Sequence, residues 1–348
     1  MYQGIVGFAM VAVLISLLLT KKMSPIALFL IVPVVGGLVA GYSLEEVIGF
    51  CKDGVSGNLS NSMMIAFAVL FFSTIIDTGA FNRIVAKLIK AIGNNVILLT
   101  VLTVVITIIG HLDGSGPSTF LIAIVPLLPI YKKMKVNPLI LLCLCCLTAG
   151  VCNIVPWGGP IGRAAAALGV QATDIWHYAL PIQGFGLVCM FALAVWFGRR
   201  EKARIVASGE LLSGSNADFD VYEGLDPALL RPKMFIPNLI LIVVTVLALI
   251  FSGISGHLIF MFAFALALAL NYHKSSEQLK VFKAHCGDAF FVSSVIFAAG
   301  FLSGVMTKSE IASNMANLVV SIVPAALTPY LHIIWGAITT PLLVAGIN

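Results

Sequence analysis

Long apolar stretches without any Asp, Glu, Lys or Arg alternate with short polar clusters along the whole chain. The charge-free stretches are 1–20, 23–44, 54–76, 91–112, 114–131, 136–162, 175–198, 234–273, 289–307 and 311–348. A membrane-spanning helix needs about 20 apolar residues. Residues 234–273 are long enough for two spans, which a polar turn at 252–256 divides. The pattern therefore predicts roughly eight to ten membrane elements, all of them helical.

The composition places the chain in the bilayer. Hydrophobic residues make up 60% and charged residues 10%, with a mean hydropathy of +1.07, whereas a soluble domain is about 25% charged. The N-terminus lacks the basic segment of a signal peptide, so residues 1–20 are predicted to be a retained first span. We expect an all-α polytopic protein of the cell (inner or plasma) membrane. The net charge of +5 comes from loops and indicates no nucleic-acid partner.

The basic residues between the stretches set the predicted topology, because cytoplasmic loops are enriched in Lys and Arg. With the N-terminus outside and residues 95–131 folded back as a re-entrant hairpin, 17 of the 20 basic residues lie inside. Only Lys52, Arg163 and Lys308 are left over. A plain spanning helix at 95–131 would put the next basic cluster on the wrong side. Charge alone therefore favours the re-entrant hairpin.

An internal repeat is visible at an offset of 230 residues. Seven identities support it, among them Phe67 with Phe297 and Ser73 with Ser303. Each copy runs through two spans, a short polar helix, a span and an amphipathic helix. The topology above gives the copies opposite orientations, as in transporters built from inverted repeats.

The repeat also predicts the organisation of the chain. The first hairpin tip, 111–118, maps onto 341–348, so the second repeat is expected to be incomplete and to stop at its own tip. The predicted parts are a first repeat at 1–198, containing scaffold helices, the hairpin 95–131 and a broken helix at 136–170; a cytoplasmic linker at 199–233; and a second repeat at 234–348. The amphipathic segments 81–93, 275–286 and 308–322 are predicted to lie along the membrane interface.

A Gly/Pro/Ser cluster interrupts the first hairpin at residues 110–119. Gly114 and Gly116 allow the backbone to turn and leave N–H groups unshielded. Ser118 is a good N-cap for a helix that runs from Thr119 onward. A helix N-terminus carries partial positive charge and free N–H donors, so this tip suits a carboxylate.

The same tip carries an aspartate and a histidine. Asp113 is negative and suits a cation, which could be a proton, a sodium ion or a divalent metal. An intramembrane Asp costs about 2.5–3.5 kcal/mol on insertion scales, which makes it a functional candidate. His111 could assist or could titrate. We predict that Asp113 and His111 hold the coupling cation, and that the protein alone builds no metal site beyond Asp113.

A second cluster, at 153–163, interrupts a later apolar stretch. Pro156 and Pro160 stop the incoming helix, and Gly158 and Gly159 form the bend. Broken helices at membrane depth are tolerated where protein or a water-filled cavity satisfies the exposed backbone. Such breaks are where secondary transporters bind substrates and ions.

The second break also supplies a cation. A new helix is predicted to start at Pro160 or Ile161, with Arg163 in its first turn. A guanidinium beside a helix N-terminus is a strong carboxylate site, because Arg donates a bidentate fork. Asn153 and Trp157 can line the same cavity.

At these breaks the chain resembles the citrate–divalent metal:proton symporters, the CitMHS family of the ion transporter superfamily. The likeness runs from the first helix to the last residue, and the Pro-Trp-Gly-Gly-Pro stretch is its most specific part. The motifs are Asn153-Ile154-Val155-Pro156-Trp157-Gly158-Gly159-Pro160 followed by Arg163-Ala164-Ala165, Leu112-Asp113-Gly114-x-Gly116, Ile76-Asp77-Thr78-Gly79-x-Phe81 and Phe297-Ala298-Ala299-Gly300.

The resemblance implies proton-driven uptake of a di- or tricarboxylate, often as a metal–citrate complex, by a scaffold and a moving transport domain. It also implies a homodimer, no tightly bound cofactor, and a co-transported proton, Na⁺, Mg²⁺ or Ca²⁺. The family often has a second tip Asp where this chain has Ser115, which weakens the case for a metal complex. Carried over, the residues lining the site are Asp113, Gly114, Gly116, Ser118, Thr119, Asn153, Gly158, Gly159 and Arg163.

Several functions remain open at this point. The leading hypothesis is a symporter for citrate or a related carboxylate. The same architecture suits an inorganic oxyanion, gluconate or sodium-coupled dicarboxylates. An intramembrane hydrolase using Asp77 and Asp113, or a channel, is a less favoured alternative; we expect a transporter and no enzyme.

Overall fold

The computed structural model describes residues 1–114, 116–208 and 226–322, together with Tyr330, Ile333, Gly336 and Ala337. Within these ranges the chain forms α-helices, one short 3₁₀ helix (Pro232–Met234) and no strand. The helices are α1 (Tyr2–Leu19), α2 (Pro25–Val39), α3 (Leu44–Asp77), α4 (Ala80–Ile92), α5 (Val96–Gly110), α6 (Gly116–Lys133), α7 (Pro138–Cys152), α8 (Gly159–Leu168), α9 (Ala172–Ala207), α10 (Phe235–Phe251), α11 (Gly256–Asn271), α12 (Ser275–Lys308) and α13 (Ile311–Ile322).

The predicted all-α polytopic fold is confirmed. Five helices of the described residues are long and apolar enough to cross a membrane, and five shorter helices are also apolar. One prediction is wrong in both copies of the repeat, because the short polar helix and the span after it form one continuous helix, α3 in the first copy and α12 in the second. The segment 275–286 is not a separate interfacial helix but the first part of α12, a helix of 34 residues. No proline interrupts residues 275–308, and the helix continues through Gly287 into the apolar stretch.

The order and lengths of helices recur along the chain. Helices α1 to α4 have 18, 15, 34 and 13 residues, and α10 to α13 have 17, 16, 34 and 12. This succession agrees with the repeat seen in the sequence. The opposite orientation of the two copies stays a prediction, and the second tip at 341–348 lies outside the described residues.

The chain divides into two compact units. The first contains Met1–Ser62, Ala165–Val170 and Ser293–Asn348. In it, α1 packs against α2 and α13, and α3 crosses α12 at backbone contact. A Cβ added to Gly54 would lie 2.0 Å from the carbonyl oxygen of Gly300 and 2.7 Å from the Cα of Gly304. Small residues four apart allow such close helix packing inside a membrane.

The second unit contains Met63–Ala164 and Gln171–Val292, and α5 lies at its centre. Helices α4, α6, α7 and α9 all pack on α5. Side chains such as Leu99, Ile106, Leu127 and Leu144 are fully buried in this core. The core holds α5, α6 and α7 in fixed positions, and those three helices carry both predicted breaks.

Helices α5 and α6 form an antiparallel hairpin. The hydroxyls of Thr103 and Tyr131 lie 2.8 Å apart near its base, and His111 meets Thr119 at its tip. Helix α5 has 15 residues, or about 22 Å at 1.5 Å per residue, which is shorter than the roughly 30 Å hydrocarbon core of a bilayer. The contacts between α5 and α6 show that the chain at 95–131 folds back on itself, whereas the re-entrant position in the membrane that the charge pattern favours stays a prediction.

Candidate functional site

The tip of the hairpin is a tight turn between α5 and α6. Gly114 has a φ of +71°, a left-handed conformation that glycine adopts without strain. Gly116 is not part of the turn, because α6 already begins there. The predicted cap at Ser118 is wrong for the same reason: its backbone lies in the first turn of α6, which Pro117 favours. Ser115 and the side chain of Ser118 lie outside the described part of the structure.

Hydrogen bonds fix His111 at the tip. Its Nδ1 lies 2.6 Å from Oγ1 of Thr119, and that hydroxyl donates to the carbonyl of Gly110 at 3.3 Å. We assign the proton to Nδ1, which then donates to Thr119. This tautomer leaves Nε2 as an acceptor. His111 and Asp113 are both buried, with 4% and 6% of their surface exposed.

The second break lies between α7, which ends at Cys152, and α8, which begins at Gly159. The N–H of Gly158 donates to the carbonyl of Val155 at 2.8 Å and closes the turn. A Cβ at Gly158 would lie 2.6 Å from the carbonyl oxygen of Asn153, so only glycine fits this bend. The predicted broken helix is therefore present, and α8 begins one residue earlier than expected.

The two breaks meet. The indole Nε1–H of Trp157 donates to the carbonyl of Leu112 at 2.8 Å. Gly114 packs against Gly158, whose Cα lies 3.6 Å from the position of a Cβ on Gly114. Asn153 lies next to His111 across the same contact. Residues that are about 45 positions apart in the sequence thus form one site, and both breaks belong to the second unit.

Aromatic side chains from three other helices pack around the ring of Trp157. Its ring packs edge-on against Phe260 at a centroid distance of 5.2 Å and Trp176 at 6.0 Å, and is tilted against Phe72 at 5.7 Å. Trp176 in turn donates to Gln183, whose amide donates to the carbonyl of Val151 near the end of α7. The sequence alone does not reveal this packing, because the partners come from α3, α9 and α11.

Arg163 lies in the second turn of α8, and its side chain reaches back toward the N-terminus of the helix. Its Nη1 is 3.0 Å from the position of a Cβ on Gly159. Arg163 is exposed, and within the described ranges it has no hydrogen bond or ion pair. The backbone N–H groups of Gly159 and Ile161 also have no partner in that part of the chain, as is typical of a first helical turn. A guanidinium and free amides therefore share one helix end.

One buried polar contact joins the tip to the second break. The side chains of His111 and Asn153 interact with each other, and neither Nε2 of His111 nor Oδ1 of Asn153 has a further hydrogen-bond partner among the described residues. A cation or a ligand hydroxyl that entered this contact would meet both side chains. No three His, Cys, Asp or Glu side chains of the described chain cluster as metal ligands.

Asp77 has a different environment. Its Oδ2 lies 2.8 Å from Nε2 of His285 on α12. Beside it, Asn238 and Asn271 exchange a reciprocal pair of amide hydrogen bonds at 2.9 and 2.8 Å, and Asn238 also donates to Thr78. No sequence signal pairs these residues, because they are 33 to 208 positions apart.

A hairpin tip that meets a broken helix in a polytopic helical membrane protein is the arrangement of a secondary transporter. The chain belongs to the citrate transporter family, CitMHS, which it matches over residues 3–347. The resemblance noted in the sequence is thereby confirmed.

Three relatives from Bacillus subtilis (strain 168) are similar over most of their length. A "Citrate transporter" is 33% identical, covering 97% of this chain and 78% of the relative. A "Mg(2+)/citrate complex secondary transporter" is 32% identical, covering 92% and 74%. An "Uncharacterized transporter YraO" is 28% identical, covering 97% and 78%. The relatives are transporters, so the chain is a multi-pass membrane protein of a transport family.

Proposed function

We propose that this protein is a symporter that carries citrate or a related di- or tricarboxylate together with a proton or another cation. The observation that carries the proposal is the meeting of the two breaks, with Arg163 unpaired within the described ranges beside the free amides of α8. Positive helix ends and a guanidinium bind carboxylates. The names of two relatives support citrate as the substrate.

In this proposal the carboxylates bind between the two helix N-termini. Arg163 donates its bidentate fork to one carboxylate, and the N–H groups of Gly159 and Ile161 complete that subsite. The wall of the site opposite Arg163 is formed by Gly114, Gly116, Ser118 and Thr119. The floor of the site is formed by Asn153 and Gly158. Since the site lies where two helices are interrupted, small movements of the hairpin can open it to either side.

The coupling cation binds beside the substrate. Asp113 supplies a negative charge, and the side chains of His111 and Asn153, which interact with each other beside it, supply polar atoms with no further hydrogen-bond partner among the described residues. A cation held there compensates part of the charge of the carboxylate. Binding one facing state more tightly than the other shifts the equilibrium between them, which couples the two fluxes.

Whether the substrate is bound with a metal ion depends on how many carboxylate side chains of the hairpin tip can coordinate that metal. One relative is named for a Mg(2+)/citrate complex, which supports a co-transported Mg²⁺. Ser115 replaces the second acidic residue that the family often has, so metal-free citrate is the competing form. Transport rather than hydrolysis is supported by the hydrogen bond between Asp77 and His285, which engages the first of the two aspartates that a hydrolase would use.

We further propose that the N-terminus lies outside and that the protein works as a homodimer. The basic loops support the orientation, since Lys and Arg are enriched on the cytoplasmic side. The dimer is an expectation from the superfamily. Neither property changes the site, which lies within one unit of one chain.

A substrate panel in proteoliposomes tests the function. Uptake of labelled citrate is expected to be saturable and to rise with an inward proton or cation gradient. Unlabelled citrate should compete best, ahead of succinate, tartrate, gluconate and phosphate. The assay is run without divalent metal and with Mg²⁺ or Ca²⁺, which separates free citrate from its complexes. Current without saturation, or peptide cleavage without flux, would overturn the proposal.

Replacing Asp113 with Asn is expected to uncouple transport. The amide keeps the size of the side chain but removes its charge, so the cation loses its anionic ligand. Gradient-driven accumulation of citrate should fall at least about tenfold, because a lost charge-assisted hydrogen bond is worth about 1.5–3 kcal/mol. The matched control is Asp174→Asn, in the first turn of α9, which should accumulate citrate normally. Wild-type accumulation in Asp113→Asn would exclude this role.

A further inference from the structure

A cavity of about 870 Å³ opens at the ends of α6, α7 and α9 in the second unit. Among the described residues its walls include four cationic side chains and one carboxylate, so these lining side chains together carry an excess of three positive charges. The charged residues are Lys132, Lys135, Arg200, Arg204 and Glu201. It is separate from the tip and the broken helix, because none of the described residues of 110–119 and 153–163 lines it.

The single carboxylate is already satisfied. Glu201 accepts hydrogen bonds from Arg204 Nη2 at 2.8 Å and from the backbone N–H of Asn137 at 3.0 Å. Lys132 and Arg200 are exposed and make no ion pair within the described ranges. Arg200 also interacts electrostatically with Glu201, and because the side chains of Lys132 and Arg200 are exposed, an anion from outside can reach their charges. The N-terminus of α7, which starts at Pro138 in the cavity wall, adds partial positive charge.

The position of the cavity on α9 indicates which anion it meets. Phe185, Val188 and Trp196 lie on one face of the helix and are 71%, 66% and 52% exposed. Arg200 follows one turn later, with its guanidinium 5.5 Å from the centroid of the Trp196 ring. Tryptophan is enriched at the level of lipid headgroups, so an apolar stripe leads along α9 to a cationic cavity at that level.

We propose that this cavity binds the phosphate headgroup of an anionic phospholipid, whose acyl chains lie on the apolar stripe of α9. Basic pockets between helices on the cytoplasmic side hold such headgroups. Lys132 and Arg200 pair with the phosphate, and Arg204 keeps Glu201 from repelling it. A soluble anion would pair with the basic side chains of the cavity but would make no contact with the apolar stripe of α9. The site is independent of the carboxylate site and does not depend on the transport proposal.

Lipid retention after purification tests the proposal. Wild type and the double variant Lys132→Gln/Arg200→Gln are delipidated in detergent and titrated with phosphatidylglycerol, phosphatidylcholine or soluble glycerol phosphate. Bound lipid is counted by native mass spectrometry, and folding is followed by thermal shift. The matched control is Lys274→Gln/Lys283→Gln, which removes the same charge from exposed residues outside the cavity.

Wild type and control should retain one phosphatidylglycerol. The cavity variant should bind it about 30-fold more weakly, since each of the two basic residues contributes about fivefold. Phosphatidylcholine and glycerol phosphate should bind poorly to all three proteins. Equal retention by the cavity variant and wild type would overturn the site. Equal stabilisation by glycerol phosphate would overturn the lipid in favour of a soluble anion. Both outcomes are measured as bound lipid or thermal shift, so they can be distinguished even if the protein transports no citrate.

Discussion

Replacing Arg163 with alanine is expected to abolish carboxylate binding while the protein still folds and inserts. The side chain has no hydrogen bond or ion pair within the described ranges, so its removal breaks no described contact of that kind. With substrate bound, the guanidinium is the main counter-charge for a carboxylate. Losing one partner of such a charge pair costs about 2–5 kcal/mol, and the affinity for citrate should fall at least about 30-fold. Calorimetric titration of purified protein measures the change.

Two further variants separate charge from geometry at this position. Arg163→Lys keeps the charge but loses the planar fork, so it should bind citrate with an affinity between those of wild type and Arg163→Ala. Arg199→Ala removes an exposed arginine near the end of α9 and should bind citrate as wild type does. Undiminished binding of citrate, succinate and tartrate by Arg163→Ala would refute the carboxylate role.

Replacing Gly158 with alanine is expected to destroy the site by a steric route. The new Cβ would lie 2.6 Å from the carbonyl oxygen of Asn153 and 3.0 Å from that of Val155. Both are backbone atoms, so the turn itself must move, at a cost of about 1–3 kcal/mol. The movement displaces Trp157 and Asn153 from the hairpin tip. We expect a lower melting temperature and citrate binding weakened at least about tenfold.

The matched control for this variant is Gly150→Ala, on α7. Gly150 is exposed, a Cβ there meets no atom of the described residues within 4 Å, and its φ is not positive. It belongs to no part of the proposed site. Gly150→Ala should therefore melt no lower than wild type and bind citrate as wild type does. A Gly158→Ala protein that behaves like this control would show that the bend does not position the site.

The sequence predicts the two breaks because glycine and proline act locally. Two prolines around two glycines within five residues, as in Pro156-Trp157-Gly158-Gly159-Pro160, strongly favour a break, whereas single prolines such as Pro33 and Pro181 lie inside helices of this chain. The fold-back at 95–131 also follows from the sequence, since only a hairpin keeps Lys132, Lys133 and Lys135 on the side of the other basic loops. The first residue of a helix is harder to predict than the break before it. Helix α6 begins at Gly116 rather than at Thr119, because Pro117 favours a helix start as much as Ser118 favours a cap.

Contacts between distant elements could not be predicted in the same way. The bond from Trp157 to Leu112 depends on how α5, α6 and α7 pack, and apolar stretches of similar composition do not specify that register. The continuity of α12 was missed because an amphipathic pattern followed by an apolar one fits two helices or a single long one. The pairing of Asp77 with His285 likewise depends on the packing of α3 with α12.

Hydrogen–deuterium exchange with and without citrate tests the central claim most directly, which is that the hairpin tip and the broken helix form a single carboxylate site. Saturating citrate should slow exchange in peptides covering 110–119 and 153–163 together, including the free amides of Gly159 and Ile161, and Arg163→Ala should lose both effects. Citrate that binds yet protects only one of these segments, or neither, would contradict the account.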